Sequence, residues 1–309
     1  MSHSTSLAIG LAGGMLLSWC LYRGLGTPAS HQGGSAAPPA SWVGKRVLIT
    51  GASSGIGRAC AIYLARQGAS IGIHYHSSRA GAEETLRCVT AASASARGYL
   101  LQASLGGSGA AGRLFEAALA ALGGVDVLVL SAGIYEEQSP GCDTPAFAVQ
   151  FSKVLSVNLQ SSAELVHAAG RYFAKRQAES LHFFERRGSP VAQGAIVGIG
   201  SRGALRGEPS AWAYAASKAG LHALMQSAAV TLGAHGVSCT AVAPGWVDTP
   251  MASSALSSPS GAAVLQQSPW RRVATPEEVA AAVEALARYW DTAFCTGTVL
   301  DINGASYLH

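Results

Sequence analysis

Two side chains in the segment AYAASKAG have the types and spacing needed to move a proton. Tyr214 and Lys218 are four residues apart, so a helix places them one turn apart on the same face. An ammonium group beside a phenol favours the phenolate and lowers a pKa that is ordinarily about 10. The pair is therefore a candidate general acid with a supporting cation. The alternative is a tyrosine that packs over a lysine stem on an ordinary amphipathic helix.

A second chemical feature is the glycine-rich turn TGASSGIG. Gly51, Gly55 and Gly57 lie between an apolar run and a helical pattern. Glycines at such a turn let a pyrophosphate approach the backbone, and the helix N-terminus supplies free N–H groups and a positive dipole. The spacing GxxxGxG differs from the GxGxxG of the usual dinucleotide fingerprint. Taken alone, the turn predicts either a nucleotide site or a tight turn without a ligand.

The type of nucleotide depends on the residues about 20 positions further on, in IHYHSSRAG. An acidic side chain there would bind the adenosine ribose of NAD, but this chain has Tyr75. No carboxylate is nearby to repel a 2′-phosphate, and His76, Ser77, Ser78, Arg79 and Arg58 could donate hydrogen bonds to one. The segment therefore favours NADPH over NADH. The alternative is that Arg79 is only a solvated surface charge.

The residues around these features alternate between short apolar runs and alanine-rich helical patterns. The predicted strands are RVLIT, SIGIHY, GYLLQA, VDVLVLSAG, GAIVGIGS, VSCTAVAPG and GTVLDING, and the long predicted helices are 55–67, 109–122, 145–177, 214–232 and 276–289. The runs are continuous, as in parallel strands that are buried on both faces. This pattern predicts an α/β fold, a single Rossmann-type doubly wound parallel sheet flanked by helices, over residues 42–309.

In such a sheet the chemical features meet at one edge. Ser201 closes the strand GAIVGIGS, thirteen residues before Tyr214, and APGWVDTP follows the next strand. The carboxyl ends of parallel strands form the edge where ligands bind. Unrelated structural residues would have no reason to converge there, so we expect one active-site rim.

Together these motifs resemble the short-chain dehydrogenase/reductase family. The resemblance is carried by TGASSGIG (50–57), SAG (131–133), the asparagine of SVNLQ, Ser201, YAASK (214–218) and PGWVDT (244–249), and it covers nearly all of the chain from Trp42 onward. The tracts VSCTAVAPGWVDTPM and RRVATPEEVAAAVEALA, with TGTVLDINGASYL after them, are most similar to 3-oxoacyl-[acyl-carrier-protein] reductases. The resemblance implies a short-chain NAD(P)-dependent oxidoreductase.

The resemblance also implies four catalytic roles. Tyr214 would donate its phenolic proton to a substrate carbonyl oxygen while hydride arrives from nicotinamide. Lys218 would stabilise the phenolate and hold the nicotinamide ribose. Ser201 would hydrogen-bond and orient the carbonyl oxygen. Asn158 would anchor a water that passes protons to Lys218.

The cofactor contacts implied by the same resemblance follow the carboxyl edge of the sheet. They are Gly51, Ser53, Ser54, Gly55, Ile56, Gly57, Tyr75, His76, Ser77, Arg79, Ser104, Ser131, Ala132, Gly133, Tyr214, Lys218, Pro244, Gly245, Val247 and Thr249. Two positions depart from the family pattern. Ser131 stands where an asparagine is usual, and Ser104 or Gln102 where an aspartate commonly faces the adenine, so we expect weaker cofactor binding.

The function implied is NADPH-dependent reduction of a ketone to a secondary alcohol. A 3-oxoacyl thioester, possibly on an acyl carrier, is the first substrate to consider. A sugar carbonyl or a lipophilic ketone, such as a steroid, retinoid-like or xenobiotic carbonyl, is an alternative, as is a catalytically silent NADP-binding protein. The substrate-facing segment, about 251–270, contains no charged recognition group before Trp270. The family further implies a dimer or tetramer.

Composition excludes several other classes of function. The net charge is +4 and no basic stripe is interleaved with aromatic residues, so nucleic acid is not an expected partner. Six scattered cysteines with no CxxC spacing predict reduced thiols rather than a disulfide framework or a metal site. They are Cys20, Cys60, Cys88, Cys142, Cys239 and Cys295.

The first 41 residues have a different composition. Residues 1–24 contain the uncharged, mostly apolar segment 7–22, and residues 25–41 form a Gly/Ser/Ala/Pro-rich segment typical of a flexible linker. The apolar segment predicts either a membrane anchor with the catalytic domain in the cytosol or an acid-poor organelle transit peptide. A frayed apolar tail is the third interpretation.

A basic cluster spans the end of the long helix predicted over 145–177 and the residues after it. It comprises Arg171, Lys175, Arg176, Arg186 and Arg187. The segment 174–193 is longer than the usual family connection. It could dock an acidic carrier protein or a membrane surface, or be a solvated basic loop, which we favour.

Overall fold

A seven-stranded parallel sheet forms the centre of the computed structural model, which describes residues 42–138, 141–184 and 192–309. The strands are β1 (Arg46–Ile49), β2 (Ser70–Tyr75), β3 (Gly98–Gln102), β4 (Val127–Leu130), β5 (Gly194–Ile199), β6 (Val237–Pro244) and β7 (Val299–Ile302). Each lies within one of the seven runs predicted from the sequence. The prediction of parallel strands is confirmed, since every neighbouring pair is parallel.

The strand order is β3-β2-β1-β4-β5-β6-β7. The chain therefore moves outward from β1 in one direction and then restarts from β4 in the other. Val47 pairs with Ile71 of β2 on one side and with Val127 of β4 on the other. The crevice at the carboxyl ends of β1 and β4 is the topological switch point, where ligands of doubly wound sheets bind. The Rossmann-type fold predicted from the sequence is confirmed.

Helices cover both faces of the sheet. They are α1 (Gly55–Arg66), α2 (Arg79–Ala92), α3 (Ala110–Leu122), α4 (Thr144–Leu155), α5 (Ser161–Phe184), α6 (Gly203–Arg206), α7 (Trp212–Leu232), α8 (Ser253–Leu256), α9 (Gly261–Gln266), α10 (Pro276–Ala287) and α11 (Tyr289–Thr292). Short 3₁₀ turns occupy Gly233–His235 and Ala293–Cys295. The helix predicted over 145–177 is real but is interrupted by a π-helical turn, Ser156–Gln160, which joins α4 to α5.

Two apolar cores hold the layers together. On one face α1 and α10 pack on the sheet through residues such as Leu64 and Val283. On the other face α3, α5 and α7 pack through Phe115, Phe173 and Leu221. All six residues of β5 and all eight of β6 are buried. Burial on both faces explains why these strands read as continuous apolar runs.

A charged node ties the amino-terminal end of the sheet together. The Asp126 carboxylate, just before β4, accepts hydrogen bonds from Arg46 Nε at 2.9 Å and from Arg176 Nη1 at 2.8 Å. Arg176 also donates to the Gln193 carbonyl at 2.8 Å. β1, β4, α5 and the entry to β5 are thereby joined. Arg176 is thus bound inside the fold and does not belong to the exposed basic cluster expected from the sequence.

Several sequence-based expectations fall outside the described residues. These are the apolar segment 7–22, the linker 25–41, and Arg186 and Arg187 of the basic cluster. Within the part of the chain that is described, no helix is both long and apolar enough to cross a membrane. No group of three or more metal-ligating side chains occurs in those same residues. Their five cysteines are free thiols.

Candidate active site

A cleft of about 1330 Å³ opens at the carboxyl edge of the sheet. Among the predicted site residues, Ser201, Tyr214 and Lys218 line it, together with Gly51, Ser53, Ser54, Gly55, Ile56, Gly57, His76, Ser77, Ser104, Ser131, Ala132, Gly133, Pro244, Gly245, Val247 and Thr249. Asn158 lies behind the cleft wall, and Tyr75 and Arg79 are not among the lining residues. The expected convergence of motifs on one rim therefore occurs.

The glycine turn is shaped by close backbone contacts. Gly51 and Gly55 have φ angles of 65° and 53°, which side chains other than glycine rarely adopt. A Cβ on Gly57 would lie 2.4 Å from the Gly51 carbonyl oxygen. α1 begins at Gly55 with no side-chain cap and no acidic residue in its first turn. Its free N–H groups and positive dipole are therefore available to an anion such as a pyrophosphate.

Two buried side chains fix this turn relative to the neighbouring strands. Thr50 Oγ1 accepts hydrogen bonds from the backbone N–H groups of Ser131 and Ala132 at 2.9 and 3.0 Å. His74 Nδ1 accepts from the Gly51 N–H at 3.1 Å, while its Nε2 contacts the Ala103 carbonyl at 3.2 Å. Burial lowers the pKa of His74 to about 4, so at neutral pH the ring is uncharged and can accept this bond. Thr50 thus supplies the link between β1 and β4 at the position where Ser131 replaces the family's asparagine.

The residues at the end of β2 are placed differently from the sequence-based expectation. Side chains alternate along a strand, so His74 and His76 line the cleft while Tyr75 is buried in the core on the other side. Arg79 lies outside the cleft and pairs with Glu83 on α2 at 2.9 Å. Arg58 donates to the carbonyls of Ser53 and Gly81. The candidate donors to a 2′-phosphate are therefore His76 and Ser77, with Ser78 beside them.

The three central side chains come from β5 and α7. Ser201 follows β5, and its Oγ accepts the N–H of Gly203 at 3.0 Å while it is hydrogen-bonded to Tyr214. Lys218 lies one turn after Tyr214 on α7, with Nζ 5.6 Å from the centre of the phenol ring. Lys218 Nζ donates to the Ile199 carbonyl at 2.7 Å. A carbonyl oxygen placed between Ser201 and Tyr214 would receive two hydrogen bonds, which is the arrangement needed to polarise it.

The pKa values of this pair differ from the sequence-based expectation. Burial raises the pKa of Tyr214 to about 12, although its hydrogen bond with Ser201 acts in the opposite direction. Burial also lowers the pKa of Lys218 to about 8. We expected the ammonium to lower the phenol's pKa, but the ammonium is directed to the Ile199 carbonyl. Tyr214 therefore remains a proton-bearing phenol through the neutral range, as a proton donor requires.

Asn158 lies on the π-helical turn between α4 and α5 and is fully buried. Its side-chain oxygen accepts the N–H of Ile134 at 2.8 Å, and its nitrogen donates to the Ile134 carbonyl at 2.9 Å and to Ser217 Oγ at 3.1 Å. π-Helical turns are rare and often occur at functional sites. Asn158 thus joins the loop after β4 to α7, because it binds Ile134 in the loop and Ser217 in the helix. Ser217 directly precedes Lys218, so these bonds position the loop and Lys218 relative to each other.

The loop after β4 adds residues that were not predicted from the sequence. The rings of Tyr135 and Tyr214 make an edge contact with centroids 5.1 Å apart. Gln138 is buried, and its side-chain oxygen accepts the N–H of Ala213 at 3.1 Å. This loop is thereby fastened to the start of α7 beside Tyr214. The one sequence signal for it is its position directly after the SAG motif.

Besides Lys218, four charged residues among those described line the cleft, and the segment 251–270 contributes none, as its sequence indicated. They are Glu137, Lys153, Arg202 and Glu208. None of them belongs to that segment; they come from the loop after β4, from α4, and from the region between β5 and α7. Arg202 directly follows Ser201, so the adjacency to a catalytic candidate was visible in the sequence.

The residues of the cleft fit a nicotinamide dinucleotide. The unfilled N-terminus of α1 and the close glycine turn suit a pyrophosphate. Thr249 lies beside this turn, since a Cβ on Gly55 would be 3.3 Å from its methyl group. Val247 is fixed by a backbone bridge to Ala274. A nicotinamide dinucleotide bound in this cleft would supply or accept a hydride. Ser201, Tyr214 and Lys218 lie together in the same cleft, where they could act on the group that receives or loses that hydride.

Comparison with known proteins agrees with this geometry. The family model described as Enoyl-(Acyl carrier protein) reductase matches residues 51–305. The chain belongs to the short-chain dehydrogenase/reductase family and is an oxidoreductase.

Curated relatives are similar along nearly their whole length. L-rhamnose 1-dehydrogenase (NAD(P)(+)) of Sphingomonas sp. (strain SKA58) is 32% identical over 86% of this chain and 97% of the relative. Cis-4-hydroxycyclohexanecarboxylate dehydrogenase of Sinomonas cyclohexanicum is 33% identical over 83% and 94%. The 3-oxoacyl-[acyl-carrier-protein] reductase FabG of Vibrio cholerae is 32% identical over 86% and 98%.

Solved structures lead to the same family. The promiscuous reductase LugOII, which catalyses a keto-reduction in lugdunomycin biosynthesis, is 28% identical with a TM-score of 0.73, covering 87% of this chain and all of that one. The angucycline C-6 ketoreductase LanV with bound NADP is 27% identical with a TM-score of 0.72, covering 85% and 96%. The names of these relatives specify a sugar, a hydroxy acid, a 3-oxoacyl-[acyl-carrier-protein] and ketones of lugdunomycin biosynthesis and of an angucycline, so they do not agree on one substrate.

Proposed function

We propose that the protein reduces a ketone to a secondary alcohol with NADPH as the hydride donor. The observation that carries the proposal is the arrangement of Ser201, Tyr214 and Lys218 at one end of a cleft whose other end is the glycine turn. Tyr214 keeps its proton because burial raises its pKa to about 12. It can therefore give a proton to the alkoxide that forms as hydride is added, which favours reduction.

The preference for NADPH is supported by the end of β2. His76, Ser77 and Ser78 line the cleft there, and no carboxylate side chain of the described residues accompanies them at that end. An acidic group would accept hydrogen bonds from a ribose and repel a 2′-phosphate. Hydroxyl and imidazole donors favour the phosphate. The bound NADP of LanV is consistent with this preference.

Two substrate classes follow from the relatives. A 3-oxoacyl thioester is supported by the FabG reductase and by the sequence tracts similar to that group. A lipophilic ketone is supported by the ketoreductases LugOII and LanV and by the apolar residues Met251 and Ala255 in the cleft wall. Both classes require the same proton donor and hydride donor.

The test is oxidation of NADPH and NADH by the full chain with a panel of ketones that includes acetoacetyl thioester. We expect turnover that is faster with NADPH and that falls by a factor on the order of 10²–10⁴ in Tyr214→Phe, which loses the proton donor. Tyr63→Phe, a tyrosine outside the cleft, is the matched control. Binding of NADPH without turnover of any ketone would instead support a catalytically silent NADP-binding protein.

A further inference from the structure

Arg202 occupies a defined place in the cleft wall next to the catalytic candidate Ser201. Its backbone N–H donates to the Pro244 carbonyl at 2.9 Å. Its own carbonyl accepts the N–H groups of Leu205 and Arg206 at 3.0 and 3.2 Å at the start of α6. These bonds join the residues after β5 to the end of β6, so the backbone of Arg202 is fixed beside Ser201 at the carboxyl edge of the sheet.

The guanidinium of Arg202 is buried without a balancing charge. The residue is only 3% exposed. Its Nη1 donates to the hydroxyl of Ser306, a neutral acceptor, and no carboxylate of the described residues lies within 4 Å. A guanidinium has five N–H donors. The partly buried arginines Arg46 and Arg176, by contrast, both form an ion pair with the carboxylate of Asp126.

A buried and unpaired cation is costly for a fold. Burial lowers the pKa of Arg202, and the nearby Arg206 acts in the same direction. Glu208 opposes this effect, but its carboxylate lies 3.9 Å from Arg206 and makes no ion pair with Arg202 among the described residues. The free donors of Arg202 are therefore available to a ligand that carries the missing negative charge.

A second free donor lies close by in the chain. The indole Nε1 of Trp246 is buried and has no hydrogen-bond partner among the described residues. Trp246 also lines the cleft. It lies two residues after Pro244, whose carbonyl accepts the hydrogen bond from the Arg202 N–H. Buried N–H groups of this kind are nearly always paired in native proteins. The cationic patch in the cleft wall is supplied by Arg202, whereas Trp246 Nε1 is enclosed by protein.

We propose that Arg202, the cation of this patch, binds a carboxylate carried by the substrate, so that the natural substrates are oxo acids or the corresponding hydroxy acids. Arg202 adjoins Ser201 in sequence, and neighbouring Cα atoms are 3.8 Å apart. The carboxylate must therefore lie within on the order of 10 Å of the reacting carbonyl. A guanidinium suits a carboxylate because it can donate two parallel hydrogen bonds.

This inference rests on the proposed function and narrows its substrate class. A 3-oxoacyl thioester and an uncharged lipophilic ketone have no anionic group near the reacting carbonyl, so neither would use Arg202. The name of the Sinomonas cyclohexanicum relative contains a carboxylate across a cyclohexane ring from an alcohol, which supports the same chemistry here.

The first experiment compares each oxo acid with its methyl ester, which lacks the negative charge and carries one additional methyl group. The pairs are 4-oxocyclohexanecarboxylate and 4-oxopentanoate with their esters, assayed with NADPH. We expect the acid to be favoured in kcat/KM by about 100-fold. Arg202→Met should remove this preference through KM while the ester is reduced within threefold of the original rate, and Arg202→Lys should keep part of it. Arg66→Met, an exposed arginine at the end of α1 and outside the cleft, is the matched control.

A binding measurement separates this inference from the proposed function and needs no folded variant. Cyclohexanecarboxylate and cyclohexanecarboxamide are titrated calorimetrically into the protein with NADPH present. Binding of the carboxylate but not of the carboxamide supports the patch even if no ketone is turned over, in which case the proposed function alone fails. Equal binding of both, or equal losses of acid and ester reduction in Arg202→Met, would show Arg202 to be a structural anchor for Ser306 or for a neighbouring subunit and would overturn the inference.

Discussion

At the scale of single residues, Lys218 and Tyr214 have pKa values that move apart. The phenol keeps its proton up to about pH 12, whereas the ammonium loses its proton near pH 8 because it is buried. The ammonium is held by the Ile199 carbonyl rather than by the phenol. Lys218 therefore contributes a positive charge to the cleft only below about pH 8, and this charge is the pH-sensitive part of the site.

This difference predicts the pH dependence of ketone reduction. Tyr214 is protonated over the whole working range, so kcat/KM for the ketone should be constant below pH 8 and fall above it as Lys218 becomes neutral. Lys218→Arg should be slower overall but show no fall near pH 8, because a guanidinium stays charged. The measurement is kcat/KM at saturating NADPH from pH 6 to 10. An unchanged break near pH 8 in Lys218→Arg would assign the titration to another group.

His74 shows how a residue without a direct chemical role controls the glycine turn. Replacing it with leucine leaves the Gly51 N–H and the Ala103 carbonyl without their partner. We expect the dissociation constant for NADPH to rise by roughly 5–30-fold, equivalent to about 1–2 kcal/mol. His74→Gln keeps one acceptor and one donor and should recover part of the affinity. Fluorescence titration measures both, with the exposed His167→Gln as control; equal affinity of all three variants would refute the role of His74.

At the scale of the elements, the turn between β1 and α1 depends on close packing of backbone against backbone. A Cβ on Gly57 would lie 2.4 Å from the Gly51 oxygen, and one on Gly51 would lie 2.8 Å from the Cα of Ala132. Neither contact can be relieved by rotating a side chain. The N-terminus of α1 therefore keeps its approach to a ligand only while both positions are glycine.

Gly57→Ala should push the N-terminus of α1 away from the backbone of Gly51, because the new methyl group would overlap the Gly51 oxygen. We expect a loss of stability of about 1–3 kcal/mol from overpacking and NADPH binding weakened by at least tenfold. Gly112→Ala on α3 is the matched substitution, because a Cβ there meets nothing within 4 Å. It should stabilise the protein by about 0.5–1 kcal/mol. Urea unfolding and NADPH titration measure the two effects; tight NADPH binding by Gly57→Ala would contradict the assigned role of the turn.

The elements also show where the sequence is informative. Strand positions and the shared rim follow from continuous apolar runs and from the rule that parallel strands end at one edge. The choice between Tyr75 and its neighbours follows from strand alternation, which places His74 and His76 together in the cleft. The hydrogen bonds of Asn158 and the partner of Lys218 could not be read in this way, because they depend on residues 24 and 19 positions distant.

At the scale of the whole molecule, the two ends of the sheet have different tasks. The amino-terminal end holds the charged node of Asp126 with Arg46 and Arg176, and the carboxyl-terminal end holds the cleft. Burial of Asp126 opposes its ionisation, but the hydrogen bonds and charge of Arg46, with the charge of Arg176, keep its pKa below the ordinary 3.8. The carboxylate is therefore ionised whenever the protein is folded near neutral pH.

The node makes stability depend on pH in one direction. A folded pKa below the unfolded value adds stability above pH 4, and this contribution disappears as the pH falls through the folded pKa. Asp126→Asn should reduce the free energy of unfolding at pH 7 by about 3 kcal/mol and flatten its decline in acid. Glu83→Gln, which breaks an exposed pair with Arg79, should change it by less than about 0.5 kcal/mol. Urea unfolding at pH 3 to 7 measures both; an equally steep decline in Asp126→Asn would refute this source of acid sensitivity.

The separation of the node from the cleft has a consequence for how this protein can change over generations. Substitutions at 202–208 or 246–260 alter the cleft wall, yet these residues lie outside all seven strands. New specificities can therefore be selected there while the sheet and its charged node keep the chain folded. The range of substrates named for relatives about one-third identical is what such evolvability would produce.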